Sequence, residues 1–373
     1  MHHSTPVIRF PFQRPELPPV NSWQELLDVA YTHHRYSNHG PLALNFELAL
    51  QKRVGRTVVL AVNGTAAISA ALLAIDRRGG VILPSFTFPA TLGAVFQSGL
   101  EPVLADVNFR TWELDVCSIE AAAKAYGRPL AAIVGVRSFG LCRDWSPIQN
   151  WCDQQGVPLI LDSAAAFGGM LVNGTAVGLQ GRMETFSFHA TKVFAVGEGG
   201  AIACEPQDVA RLRRVMNFGL QDGDLQGWGF NGKVSEFTAA IGLAQNTEFD
   251  SHLRERHTAA QVYAEIFSSK VPDWGLAFEP GTPPWQAYPV LAPTAELADR
   301  FEKIAAQAGV QTRRYYRPAL HTAPGLESLT FGQRLPISED LAQRMVCLPM
   351  YSRWGEGECA DLRNILNTVL ENL

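Results

Sequence analysis

Lys192 occupies a setting where lysine is uncommon. It follows Glu184-Thr185-Phe186-Ser187-Phe188, which alternates like a half-buried strand, and precedes a Gly197-Glu198-Gly199-Gly200 turn and the apolar run Ala201 to Cys204. A lysine drawn into such surroundings loses solvation, which lowers the pKa of its ammonium. A lysine with a free amine near neutrality is the usual Schiff-base former, although position alone is equally compatible with a structural lysine. Asp162 closes the apolar run Leu159-Ile160-Leu161. Its carboxylate either caps the Ser163-Ala164-Ala165 segment or faces a cationic ring nitrogen. Asn63-Gly64-Thr65-Ala66-Ala67 ends one apolar run and opens a helical one. Free backbone N–H groups, a positive helix end and a hydroxyl meet there as in a phosphate site, though a plain N-cap has the same sequence. Phe88, in an aromatic-rich run, is either core or a stacking face for a planar ring.

Lysine, strand-end aspartate, aromatic face and phosphate turn form the set that pyridoxal 5′-phosphate (PLP) requires. Its aldehyde takes a lysine, its ring nitrogen must stay protonated for the ring to draw electrons, and its phosphate needs an anchor.

The elements that must position these residues are short apolar runs separated by helical segments. Strands are predicted at Thr57–Val62, Gly80–Leu83, Pro102–Val107, Ala131–Val136, Pro158–Asp162, Thr185–Phe188 and Ala201–Cys204. Helices are predicted between them at Ala66–Ile75, Pro89–Ser98, Ser118–Tyr126 and Ser146–Gln155. This alternation predicts an α/β fold with a mostly parallel seven-stranded sheet buried on both faces. Ligands of such sheets bind at the carboxyl ends of the strands, where the four candidate features fall. A helical stretch follows from Val234 to Ser268, then a Pro/Gly-rich loop, Pro272–Pro284. Beyond it, a strand at Tyr288–Ala292, a helix at Ala295–Ala308, a strand near Val310–Tyr316 and two closing helices suggest a smaller α+β domain. The expected division is a large domain with an N-terminal arm, 1–250, and a smaller one, 251–373.

Composition narrows the classes. With 47% hydrophobic and 18% charged residues and a net charge of −5, the 373-residue chain has a soluble globular make-up with no basic surface calling for nucleic acid or an anionic membrane. No stretch reaches the roughly 18 uninterrupted apolar residues of a spanning helix. Six scattered cysteines without a Cys-x-x-Cys pair fit free thiols in a reducing cytoplasm rather than zinc or disulfides.

In this order the motifs resemble the DegT/StrS family of PLP-dependent sugar aminotransferases, of the fold-type I, aspartate aminotransferase-like class. The likeness runs through Gly40-Pro41 with Phe46-Glu47, Asn63 to Ala67, Pro84 to Thr91, Glu101 to Val107, Asp162 to Gly168 and Ser187 to Gly200. It continues through Asn231 to Gln245, Thr312 to His321 and Leu348 to Tyr351. The resemblance implies Lys192 as imine-forming lysine and proton shuttle, Asp162 as partner of the pyridinium nitrogen, and Phe88 as the ring-stacking aromatic. It implies that Gly64, Thr65, Ala66 and Ser187 hold the phosphate. Asn231, otherwise a helix-start cap, would reach the phosphate across the interface of a homodimer.

Three positions depart from the family's pattern. Ala165 stands where Gln or His usually meets the cofactor's phenolic oxygen, and its methyl can neither donate nor accept. Arg137 replaces a usual His, and binds a substrate anion or snorkels from a strand end. Lys233 replaces an Arg, keeping the charge and losing the fork. Substrate candidates are Arg137, His189, Arg313, Arg314 and Tyr316; the last three either meet a diphosphate or a donor carboxylate or form a solvated, charged strand edge.

The implied reaction is transfer of an amino group from L-glutamate or L-glutamine to a keto-sugar, nucleotide-linked in the family, or to a related cyclic ketone. One rival is another PLP reaction, such as elimination, decarboxylation or ligation. The family's dehydratase relatives carry His in place of the lysine, so Lys192 argues against that branch. A non-catalytic PLP-binding regulator is the other rival, disfavoured because about 20 leading residues leave no room for a helix-turn-helix.

Overall fold

The computed structural model describes residues 8–373, so Pro6, the first residue of a proline-rich lead that runs to Pro19, lies outside the described residues. Two helices, α1 (Leu27–Thr32) and α2 (Pro41–Val54), precede β1 (Thr57–Ala61) and α3 (Gly64–Ala74). The alternation continues through β2 (Gly80–Pro84), α4 (Pro89–Gln97), β3 (Glu101–Ala105), α5 (Val116–Tyr126), β4 (Leu130–Val136) and α6 (Ser146–Gln155). Then come β5 (Leu159–Asp162), β6 (Met183–Ser187), β7 (Gly200–Cys204), α7 (Val209–Val215) and a small hairpin, β8 (Leu220–Gln221) with β9 (Asp224–Leu225). The long helix α8 (Glu236–Lys270) leads to β10 (Tyr288–Leu291), α9 (Ala295–Gln307), α10 (Pro336–Arg344), β11 (Met345–Leu348) and α11 (Glu358–Glu371).

The seven expected strands form one sheet in the order β1-β7-β6-β5-β4-β2-β3, parallel throughout except for β7. Burial on both faces explains why its strands are continuously apolar. Along β1, Val59 and Ala61 pack with Ala67, Ala70 and Ala71 of α3, while Val58 and Leu60 pack with α2 and α8 on the other face. The carboxyl ends of β1, β2, β4, β5 and β6 therefore share one edge, and every strand-end residue singled out above lies along it.

Several acids in the family-like motifs hold this frame together. Glu236 receives the N–H groups of Leu42 (2.7 Å) and Ala43 (3.0 Å), capping α2 from the start of α8. A Cβ on Gly40 would lie 2.5 Å from Glu236 Cδ, so glycine there lets the carboxylate approach. Glu47 accepts from Leu60 N (3.1 Å) and pairs with Arg213 (2.7 Å). Asp106 takes Ile337 N (3.0 Å) and Ser338 N (2.7 Å), capping α10. Glu236→Ala would strand two buried helix-end donors and is expected to cost roughly 3 kcal/mol. A urea-denaturation midpoint that does not fall would contradict that role.

A further core forms around β10, paired antiparallel with β11, and also takes in Phe86, Trp112 and Phe139. Here one expectation is corrected. Val310–Tyr316 does not form a continuous strand, because its backbone groups go to different neighbours. Gln311 N bonds Phe10 O (2.9 Å) in the N-terminal arm, while Arg313 exchanges bonds with Cys347 of β11. The ladder expected there is made instead by Met345–Leu348. Pro272–Pro284 is a loop as expected, pinned by Cys142 N to Pro280 O (2.8 Å) and by a bridge between Met170 and Thr282.

Candidate active site

A cavity of about 500 Å³ opens at the carboxyl edge of the sheet. Lys192 enters it from the irregular loop between β6 and β7, which begins with a turn closed by Lys192 N on His189 O (2.8 Å). Part of its side chain faces the cavity, yet burial strips enough water from Nζ to lower the ammonium from 10.5 to about 8, against the opposing charge of Asp162. Nζ donates to Gln286 Oε1 at 3.0 Å.

Asp162 is buried at the end of β5. Thr91 Oγ1 donates to its Oδ2 (2.7 Å) and Ala164 N to its Oδ1 (3.1 Å). Burial still holds its carboxyl above the usual carboxylate range, despite these bonds and the charge of Lys192. A carboxylate so placed is short of a cation. Thr91 stands one turn along α4 from the end of β2 and meets Thr87 Oγ1 at 3.2 Å. Between them Phe88 is 55% exposed and lines the cavity, offering it an apolar face.

At the start of α3, Gly64 lies against Ser187. A Cβ on Gly64 would fall 2.8 Å from Ser187 Cβ, so only glycine keeps the backbone N–H groups and the Ser187 hydroxyl in one cradle. Thr65 completes the cradle on the cavity side. Ala66 does not line it, because its N–H is taken by Asn63 Oδ1 (2.8 Å), the helix cap. Gly64→Ala is expected to weaken PLP binding tenfold to about a hundredfold, the usual consequence of overpacking. An unchanged dissociation constant in a spectrophotometric titration would refute the cradle.

The candidate substrate residues divide. His189 and Tyr316 line the cavity. His189 is held by Thr191 Oγ1 (2.9 Å), and Tyr316 stacks on Phe139 with ring centroids 5.2 Å apart. Arg137 lies at the cavity floor, but its guanidinium is fully buried. Nε binds Glu184 (2.7 Å), Nη1 binds Arg143 O (2.6 Å) and Nη2 binds Gln180 Oε1 (2.9 Å). It is thus committed to a buried ion pair, and a substrate anion cannot reach it. Arg313 and Arg314 are not brought to the cavity. Arg314 is held by Asp299 (2.9 Å) and Glu302 (3.0 Å), and Arg313 lies over Phe12. Asn231 lies outside its own chain's cavity, bridged through its backbone to Asn217.

Among the residues that join the site without having been singled out are Thr91, Gln286 and Gln13. Thr91 had a signal, its spacing of four from Thr87 on a helix entered from a strand end. Gln286 and Gln13 had none, because one follows a proline-rich loop and the other sits in the arm.

A mostly parallel seven-stranded sheet carrying a desolvated lysine, a buried strand-end carboxylate and a glycine cradle at its carboxyl edge defines the fold-type I class of PLP-dependent aminotransferases. The chain belongs to the DegT/DnrJ/EryC1/StrS aminotransferase family, which matches residues 21–367. It is 29% identical over 368 residues to the dTDP-4-amino-4,6-dideoxy-D-glucose transaminase of Shigella dysenteriae, covering 96% of this chain and 97% of that protein. Among solved structures it is similar to DesI with its TDP-sugar product, with a TM-score of 0.85 and 31% identity over 98% of this chain and 93% of that one. It is also similar to NtdA of Bacillus subtilis with bound PMP, with a TM-score of 0.83 and 25% identity over 94% and 82% of the two chains.

Proposed function

We propose that this protein transfers an amino group from L-glutamate or L-glutamine to a nucleotide-linked keto-sugar or related cyclic ketone, with PLP attached at Lys192 Nζ. The observation that carries the reading is the meeting, in one cavity, of a lysine lowered to about 8 and a buried carboxylate raised by burial. When bound, PLP supplies the electron sink that acidifies the donor's α-carbon.

The residues then have separate tasks. Lys192 Nζ would hold PLP and, as a free base, would take and return the donor's α-proton. Asp162 would face the ring nitrogen and hold a positive charge there, Phe88 would cover a ring face, and Gly64, Thr65 and Ser187 would grip the phosphate. His189 and Tyr316 border the space left for substrate. That space suits a sugar-sized ligand, and the dTDP-sugar and TDP-sugar chemistry of the relatives supports a nucleotide-linked acceptor.

The active unit is a homodimer in this reading, its parts being a large domain, 1–250, and a smaller domain, 251–373. Supporting this, Asn231 adjoins an apolar surface that includes Trp228 (67% exposed) and Leu225 (74%), which a second subunit would cover. No helix of the described residues is long and apolar enough to cross a membrane, in keeping with a cytoplasmic enzyme.

The PLP-loaded protein should be yellow, and L-glutamate or L-glutamine should shift its absorbance. A spectrum untouched by both but changed by other amines would favour a different PLP reaction. Sedimentation showing an active monomer would contradict the role given to Asn231.

A further inference from the structure

We propose that Gln286 is the positioning residue for Lys192, holding its free amine in place for proton transfer, and that Arg256 in turn fixes Gln286. This rests on the assignment of Lys192 as the PLP lysine. Gln286 Oε1 accepts from Nζ at 3.0 Å, in the same cavity as Asp162. An amide oxygen is a neutral acceptor. It can orient an N–H of the amine and does not stabilise the ammonium as strongly as a second carboxylate would.

The loop bearing Gln286 is held from α8. Arg256 is buried, and its guanidinium is spent on neutral oxygens: Trp285 O (2.9 Å), Met350 O (3.3 Å) and Ser352 Oγ (2.9 Å). Burying a cation against carbonyls is costly, and here the result is a fixed carbonyl immediately before Gln286. His257 Nε2 meets Pro283 O at 2.9 Å, fastening the other end of the same short loop. Trp285 is left-handed (φ 52°) and packs on Tyr288, with ring centroids 5.0 Å apart. That turn directs Gln286 into the cavity where an extended residue would carry the chain past it. Burial lowers the Arg256 guanidinium to about 10, against the charges of Glu16 and Glu255.

The test has two arms. In cofactor-free protein, acetylation of Lys192 by acetic anhydride is followed against pH by mass spectrometry. The wild type should give a midpoint near pH 8. Gln286→Ala should lower it, because an acceptor of the ammonium is lost, and Gln286→Glu should raise it. Arg256→Lys should move it in the direction of Gln286→Ala by a smaller step. In PLP-loaded protein, Gln286→Ala should slow the single-turnover spectral change with L-glutamate about tenfold, with half-saturation by glutamate unchanged. Unchanged midpoints in both Gln286 variants would overturn the proposal, and an unchanged midpoint in Arg256→Lys would overturn the role given to Arg256. If no amino donor alters the wild-type spectrum, the aminotransferase reading fails, and the labelling arm still decides the contact.

Discussion

Lys192→Ala is expected to give a colourless protein in which amino transfer falls by roughly 10⁴-fold or more, since attachment of PLP and proton transfer are lost together. The fold should survive. Lys192 is held at about 8 in the native state against an ordinary 10.5, so the unfolded chain binds its proton more tightly. The cost of burying the ammonium is present in full below pH about 8 and is relieved as pH rises toward 10.5. Removing the side chain at pH 7 therefore removes a cost, and the unfolding midpoint of the cofactor-free variant should not drop. Activity and stability measured on the same preparation separate this outcome from misfolding. Full activity in Lys192→Ala would refute the mechanism.

Asp162→Asn keeps the volume and an oxygen for Thr91 but discards the charge. PLP should still bind, because Lys192, Gly64, Thr65 and Ser187 are untouched. Turnover should fall by roughly 10³-fold, the scale of losing one electrostatic contact aimed at developing charge. The amine of Lys192 should also become less basic, since the charge of Asp162 now raises it. A variant that retains turnover within tenfold of wild type would show that the ring nitrogen is held by another group.

The sheet was legible because its strands are buried on both faces, which makes most of them continuously apolar and lets polar residues at their ends stand out. Asp162 and Lys192 stand out in that way, whereas Ser187 follows from the family resemblance. What stayed hidden depends on contacts between distant segments. Glu184 lies in a run that alternates, which suggested a half-buried strand, but β6 is central and wholly buried. Its carboxylate is satisfied by Arg137, Ser163 and Gly178 N (2.7 Å), and this pairing withdraws Arg137 from the substrate. Arg314 likewise finds acids on α9 that no local spacing reveals. The family resemblance implies Ala66 at the phosphate, yet Asn63 claims its N–H. Gln286 reaches Lys192 across 94 residues of chain, and only tertiary structure joins them.

The proposed amino transfer requires that Lys192 carry PLP. Borohydride reduction of the PLP-loaded protein, followed by proteolysis and mass spectrometric mapping, tests this most directly. A pyridoxyl phosphate adduct on the peptide containing Lys192 is the predicted result. An adduct on Lys52, Lys124, Lys233, Lys270 or Lys303 instead, or no adduct at all, would contradict it.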